Sequence, residues 1–324
     1  MIRFFSALHQ WWVTWGTLPV FSWVRAARLY KAGHFAAASK LYEKGLSGYP
    51  NHPASNCARI DLAYCLFRQQ QYEAAERQLR LVISQLPKAR EAYYRLARMH
   101  MWTGNYLEAA WTFRRALQHV PSDADFVAGF LTSVIENGGP GYLVREAQRA
   151  LLELSEEDLA KGKVLIARAL LAMQNRDVKE AERLLRDLVQ QPAAPCDAFV
   201  YYAELLVKQG KVANARRYLR IAMAISPNNP RVLSSFANTY LQPGAFYNPE
   251  YARQLATTAA QNTGWLSPWA LHTLAEAFYH EGDKMSALIM ASKAKDVGNQ
   301  RLGIYREEKI LDQLIASLQE GTLA

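Results

Sequence analysis

A spacing of 34 residues governs this chain. Ala63, Ala75, Leu79, Val82 and Pro87 recur as Ala97, Ala109, Phe113, Ala116 and Pro121, each displaced by 34 positions. The same internal offsets return at Ala203, Ala215, Leu219, Ala222 and Pro227. Self-similarity at such a period marks units that bury their apolar faces only by stacking on neighbours. This constraint displaces the usual reading of length, because 324 residues would make two ordinary domains, whereas a stacked array grows lengthwise without thickening its core. Half the residues are hydrophobic and 21% are charged, so the chain has apolar surface to bury and does not read as disordered.

Further copies follow the same offsets. Ala26, Ala38, Tyr42, Gly45 and Pro50 give one three residues out of phase, Ala169, Ala181, Leu185 and Leu188 give one ending near Pro192, and Ala275, Ala287, Ala291 and Ala294 give a late one. The pattern resembles the tetratricopeptide repeat, in which small residues at these positions let two antiparallel helices approach closely and a proline ends the second helix. The resemblance implies an all-α fold, a right-handed solenoid of antiparallel helix pairs over about residues 19–298, with pairs at 19–50, 55–87, 88–121, 159–193, 195–227 and 267–298.

Two further pairs, 122–157 and 229–264, are degenerate. The first keeps Phe126, Phe130, Leu131, Val134, Ala147, Leu151 and Leu154 at helical spacing, but Gly138-Gly139-Pro140-Gly141 splits it, which predicts a weaker junction in the array. The second keeps Ala237, Ala252 and Ala256 and lengthens its inter-helix turn between Leu241 and Pro249. Such an insertion sits on one edge of a solenoid, where it either meets a partner or varies without function. Residues 299–324 complete the division as a capping helix and tail, with Ile304, Leu311, Leu314, Ile315 and Leu318 on one side and Arg306, Glu307, Lys309 and Asp312 on the other.

Residues 1–18 read differently. Phe4, Phe5, Leu8, Trp11, Trp12 and Trp15 precede any repeat, and no charge occurs between Arg3 and Arg25. At helical spacing these six fall within an arc of about 120°, opposite Ser6, His9, Gln10 and Thr14. An aromatic arc followed by Arg25, Arg28 and Lys31 fits a helix lying in the membrane interface, with the repeats on the cytoplasmic side. Two other readings stay open: a span through the bilayer by residues 4–24, and a helix that caps the first repeat. A cleaved signal peptide is disfavoured, because the segment lacks a small-x-small cleavage site. Residues 1–100 hold 14 Lys/Arg against 5 Asp/Glu, a balance of +9 that equals the net charge of the whole chain. This basic end suits an anionic surface, although a solvated face would look the same, and no recognised nucleic-acid module accompanies it.

The residues offer no chemistry of their own. Seven histidines are scattered without a His-x-x-x-His pair, Cys57, Cys65 and Cys196 form no C-x-x-C, and His272 and His280 share no more than a helix face. Gly138-Gly139-Pro140-Gly141 lacks the lysine-serine ending of a phosphate loop, and no serine has a nucleophile-elbow context. The expectation is a non-enzymatic chain with no cofactor, metal, nucleic acid or small-molecule substrate. The odd cysteine count favours reduced thiols.

What the resemblance does imply is a concave groove for a peptide or helix of a partner protein, lined by fixed positions of each first helix. In the second copy these are Cys57, Ile60, Tyr64, Phe67 and Arg68, and in the third Glu91, Tyr94, Arg98, Met101 and Trp102. Tyr64, Phe67, Arg68, Tyr94, Arg98, Met101 and Trp102 are thus the candidate partner-binding residues, aromatic anchors beside cations, with packing between repeats as the competing role. The carboxylate clamp of some family members needs asparagine at the ninth position. Here Ala27, Tyr64, Arg98, Leu170 and Glu204 stand there and only Asn238 complies, which disfavours a clamp-type chaperone partner. The functional expectation is a scaffold or adaptor at the cytoplasmic face of a membrane, an envelope or polysaccharide assembly complex being one setting. The alternative is a soluble regulator or chaperone adaptor whose N-terminal helix caps its own solenoid.

Overall fold

A computed structural model describes residues 18–302 and 307–320, and the six aromatic and leucine positions proposed for membrane contact before residue 18, with Ile304 and Arg306, lie outside them. Among the described residues every regular element is a helix. In order these are α1 (Leu18–Lys31), α2 (Phe35–Gly48), α3 (Ser55–Arg68), α4 (Tyr72–Gln85), α5 (Arg90–Trp102), α6 (Tyr106–Leu117), α7 (Ala124–Glu136), α8 (Gly141–Leu152), the single turn α9 (Glu156–Leu159), α10 (Gly162–Gln174) and α11 (Val178–Val189). They continue with α12 (Cys196–Lys208), α13 (Val212–Ile225), α14 (Pro230–Leu241), α15 (Pro249–Asn262), α16 (Pro268–Glu281), α17 (Lys284–Leu302) and α18 (Glu308–Glu320). Consecutive helices pack as antiparallel pairs, the arrangement of a tetratricopeptide-like solenoid.

The repeat positions are the core. Ala26, Ala38, Ala63, Ala75, Ala97, Ala109, Ala169, Ala181, Ala203, Ala215, Ala237, Ala252, Ala275 and Ala287 are all buried, and so are the larger residues that follow each second alanine, Tyr42, Leu79, Phe113, Leu185 and Leu219. A residue without branches at the crossing lets the two backbones close, and the larger side chain one turn on fills the remaining volume. Gly45 takes the smallest option at its position because the indole of Trp23 occupies the space where a Cβ would stand.

One backbone device shapes the turn inside every described pair but that of α14 and α15. Gly33, Gln70, Gly104, Gly138, Arg176, Gly210 and Gly282 all have positive φ, between 61° and 85°, immediately after a first helix. In this left-handed cap the residue and its successor donate their N–H groups back to the helix end, as Gly210 does to Val207 O at 2.9 Å and Lys211 to Leu206 O at 2.8 Å. Gly138 makes the same pair of contacts: its own N–H reaches Ile135 O at 3.0 Å, and Gly139 N–H reaches Val134 O at 3.0 Å. The glycine-proline run expected to weaken the array is therefore an ordinary turn in register, 34 residues after Gly104. In some of these pairs the second helix then opens on an asparagine or aspartate, as with Asn105 for α6 and Asp177 for α11, each accepting from the N–H three residues on.

The chain divides into two compact units, one ending at Met99 and the other starting at His100, a division inside α5 rather than at Gly138–Gly141. In the second unit α7 packs against α6, α8 and α10, and α18 closes on α17 through buried Leu311 and Leu318 and a Lys295–Asp312 ion pair of 2.6 Å. The same unit also closes on itself over a long range, since α6 meets α17 and the Trp102 indole N–H donates to Asn262 O at 3.0 Å.

Candidate partner-binding site

In the first unit the predicted groove residues fall in an aromatic cluster at the ends of the first helices. Tyr64 lies 5.3 Å from Tyr30, 5.8 Å from Phe35 and 6.1 Å from Phe67, centroid to centroid, and Phe67 lies 5.8 Å from Tyr72. Arg68 is exposed, stacks 4.7 Å over Phe35 and donates to the Tyr64 hydroxyl at 3.2 Å. Tyr64 and Phe67 are half-buried, so the rings both join repeats and leave a face to solvent. Tyr94 is half-buried beneath Arg90, whose guanidinium sits 5.9 Å from its ring, and Arg98 is exposed. Cys57 is exposed at the start of α3, while burial pushes the Cys65 thiol up to about 12.

The residue that organises this cluster is Arg95, which the sequence reading passed over. Its guanidinium pairs with Glu91 at 2.6 Å, reaches Asp61 at 3.8 Å and lies 5.4 Å over the Tyr64 ring. Burial, the largest single influence, would lower its pKa, but the hydrogen bond to Glu91 together with the charges of Glu91 and Asp61 and the Tyr30 phenol raises it. Burial also pushes the Asp61 carboxyl up, against the pull of Arg95, while its oxygen accepts from the Tyr42 hydroxyl at 3.2 Å. A signal was available: Asp61 and Arg95 stand one period apart, so the stacking of repeats brings opposite charges into register.

The second unit holds a different arrangement. Arg231, at the start of α14, places one guanidinium nitrogen 3.1 Å from Glu136 and 2.9 Å from Glu204, and the other 3.2 Å from the Tyr106 hydroxyl, to which it donates. Its plane lies 4.1 Å over Tyr201, and Ser235 donates to Glu204 at 2.7 Å. Burial acts to lower the Arg231 pKa, yet Glu136 and Glu204 overcome it and hold the group well above its ordinary range. The Arg231 side chain as a whole keeps 23% of its surface, although its Nε is buried, so the network lines a recess open to solvent at one side. Burial pushes Tyr106 up to about 12 despite the nearby cation. Glu204 is the ninth-position residue that departs from the clamp pattern, and Arg231 occupies the second position of its own copy. Carrying the groove positions past the third copy would have found both.

Trp102 and Met101 belong to this unit. Trp102 is half-buried with its N–H committed to Asn262, and beside it Tyr106 packs edge-on to Trp269 at 5.1 Å. Trp102 thus ties distant repeats together, which accounts for it without a partner.

Models of the tetratricopeptide repeat match residues 29–98, which hold the first cluster, and residues 166–230, which include Tyr201 and Glu204 of the second. The chain carries tetratricopeptide repeats over both stretches. A crystal structure of a tetratricopeptide repeat protein from Parabacteroides merdae superimposes with a TM-score of 0.53 at 13% identity, covering 93% of this chain and 98% of that one. Yeast Tom70 aligns with a TM-score of 0.48 at 15% identity, over 89% of this chain and 59% of its own. No curated protein sequence matches significantly. Tetratricopeptide arrays present helix faces to other proteins, and protein interaction is the general role of this one. No helix among the described residues is long and apolar enough to cross a membrane.

Proposed function

We propose that this tetratricopeptide protein is a non-enzymatic scaffold that gathers partner proteins at the cytoplasmic face of a membrane, of the kind that envelope or polysaccharide assembly requires. Tyr64, Phe67, Arg68, Tyr94 and Arg98 of the first unit are the residues we assign to partner contact, since they pair ring faces with cations that an acidic, aromatic-bearing segment would complement.

The observation that carries the membrane part is the outward stripe of α1. Phe21 is 68% exposed and Val24, Arg25, Arg28 and Lys31 are exposed with it, at helical spacing on one side. A stripe that begins apolar and turns cationic matches the depth gradient of an anionic bilayer surface, where each Lys or Arg contributes about 1 kcal/mol. It continues the aromatic segment that precedes it in sequence.

Co-sedimentation with vesicles of phosphatidylcholine and phosphatidylglycerol tests this reading. The full chain is expected to pellet with the anionic vesicles, and R25E/R28E/K31E and F21S/V24S each to lose most of that binding at an unchanged melting temperature. A full chain that stays in the supernatant overturns membrane association. A fall in melting temperature for F21S/V24S would instead show that the preceding segment caps the solenoid.

A further inference from the structure

Among the described helix pairs, the connection between α14 and α15 is the lengthened turn. Within the other described pairs of the second unit, turns such as Thr103–Asn105 and Gln209–Lys211 use three residues, whereas this one runs from Gln242 to Asn248. Its added residues carry Phe246 and Tyr247. Together with Tyr251 of α15 and Tyr279 of α16, these rings are between 38% and 45% exposed. They are nonetheless held in place. The Tyr247 hydroxyl lies 3.2 Å from His280 Nδ1, and Tyr251 packs edge-on to Tyr240 at 4.8 Å. Fixed, half-exposed tyrosines offer contact area at small entropic cost, the composition of a protein-binding surface.

Behind the rings lies an unbalanced charge. Arg216 of α13 is 6% exposed, and its guanidinium sits 3.9 Å from the Tyr240 ring, 4.4 Å from Phe246 and 5.4 Å from Phe236. Its one hydrogen bond runs from Nη1 to Thr239 Oγ1 at 3.3 Å, and the buried Nε has no acceptor. No described carboxylate pairs with it. The acidic neighbours are otherwise placed: Glu281 is taken by Arg253 at 2.8 Å, and Glu250 points to solvent. Ring faces offset part of the cost of burying a cation, but they do not satisfy its N–H donors, and a buried guanidinium ordinarily has a carboxylate.

We infer that this edge is a second docking surface, which takes an acidic peptide segment of a partner protein: an aromatic or aliphatic side chain packs on Tyr247, Tyr251 and Tyr279, and a carboxylate reaches Arg216 as Phe246 moves off it. This edge is separate from the α1 stripe and from the aromatic cluster of the first unit, so neither vesicle binding nor partner contact at that cluster decides it.

The test is a random heptapeptide library displayed on phage, panned against the full-length protein and counter-selected on Y247A/Y279A. Peptides that survive are synthesised and titrated by fluorescence anisotropy. The expected sequences combine Asp or Glu with an aromatic or aliphatic residue. Arg216→Met and Y247A/Y279A each weaken binding at least about tenfold. Exchanging the peptide's acid for its amide gives the same loss on the wild type and no further loss on Arg216→Met. Y247A/Y279A changes exposed residues alone and keeps the test sound if Arg216→Met fails to fold. The proposal is overturned if no peptide depends on these tyrosines, or if the amide peptide binds as well as the acid.

Discussion

At the scale of single residues, Arg231 shows how a solenoid concentrates charge. Its guanidinium answers Glu136 and Glu204 from two other helices and also donates to Tyr106. Arg231→Met should leave both carboxylates facing each other without a counter-ion. Removing one partner of a fully buried pair costs about 3–5 kcal/mol, and the 23% of Arg231 that stays in contact with water reduces this to about 2–3 kcal/mol. Chemical denaturation should show that loss, with part of it recovered when Glu136→Gln is added. A variant as stable as the parent would mean the recess is wet enough to make the pairing irrelevant. The same network marks the limit of sequence reading here. Alanines at fixed offsets announce helix crossings because their role is local, whereas Arg231 and Tyr106 stand 125 positions apart and meet only once the chain between them is coiled into repeats.

At the scale of elements, the pairs and their order were legible from the period, including those at 122–157 and 229–264. The turns were less so. Gln70 and Arg176 adopt the left-handed conformation without being glycine, and Gly138 performs the same turn although its glycine-proline context predicts a break, because composition does not reveal register. The last helix brings a titration. His272 of α16 is buried, with Nδ1 3.0 Å from Glu307 and Nε2 3.6 Å from Glu276. Burial would lower the His272 pKa, but the hydrogen bond to Glu307, with the charge of Glu276, raises it above 6.5. Burial raises Glu276 above 4.5. A raised folded-state pKa stabilises the fold fully below the unfolded value and ceases to do so as pH rises through the folded one. Both groups therefore act in one direction: Glu276 loses its contribution above 4.5 and His272 above 6.5, so the seat of α18 weakens on alkalinisation. Melting temperatures between about pH 6 and about pH 9 should fall more steeply for the parent than for His272→Gln. Parallel curves would remove His272 from the account.

At the scale of the whole molecule, an array coupled only to nearest neighbours would lose its helices progressively from the ends. The second unit has contacts that forbid this, Trp102 to Asn262 and Tyr106 to Trp269. Trp269→Ala should therefore lower hydrogen-exchange protection in α6 as well as in α16, although the two are far apart in sequence. Loss confined to α16 and its neighbours would show that the long-range contacts add nothing to cooperativity. They also set an arithmetic on the chain's own history. In an open solenoid one repeat more or less changes only the length, and duplication or deletion of a repeat is cheap. Here the stretch between Tyr106 and Trp269 must deliver two rings to within 5.1 Å of each other. A repeat gained or lost inside it would carry Trp269 one unit past its seat, so the number of repeats in this stretch is fixed by a contact at its ends rather than by anything within a repeat.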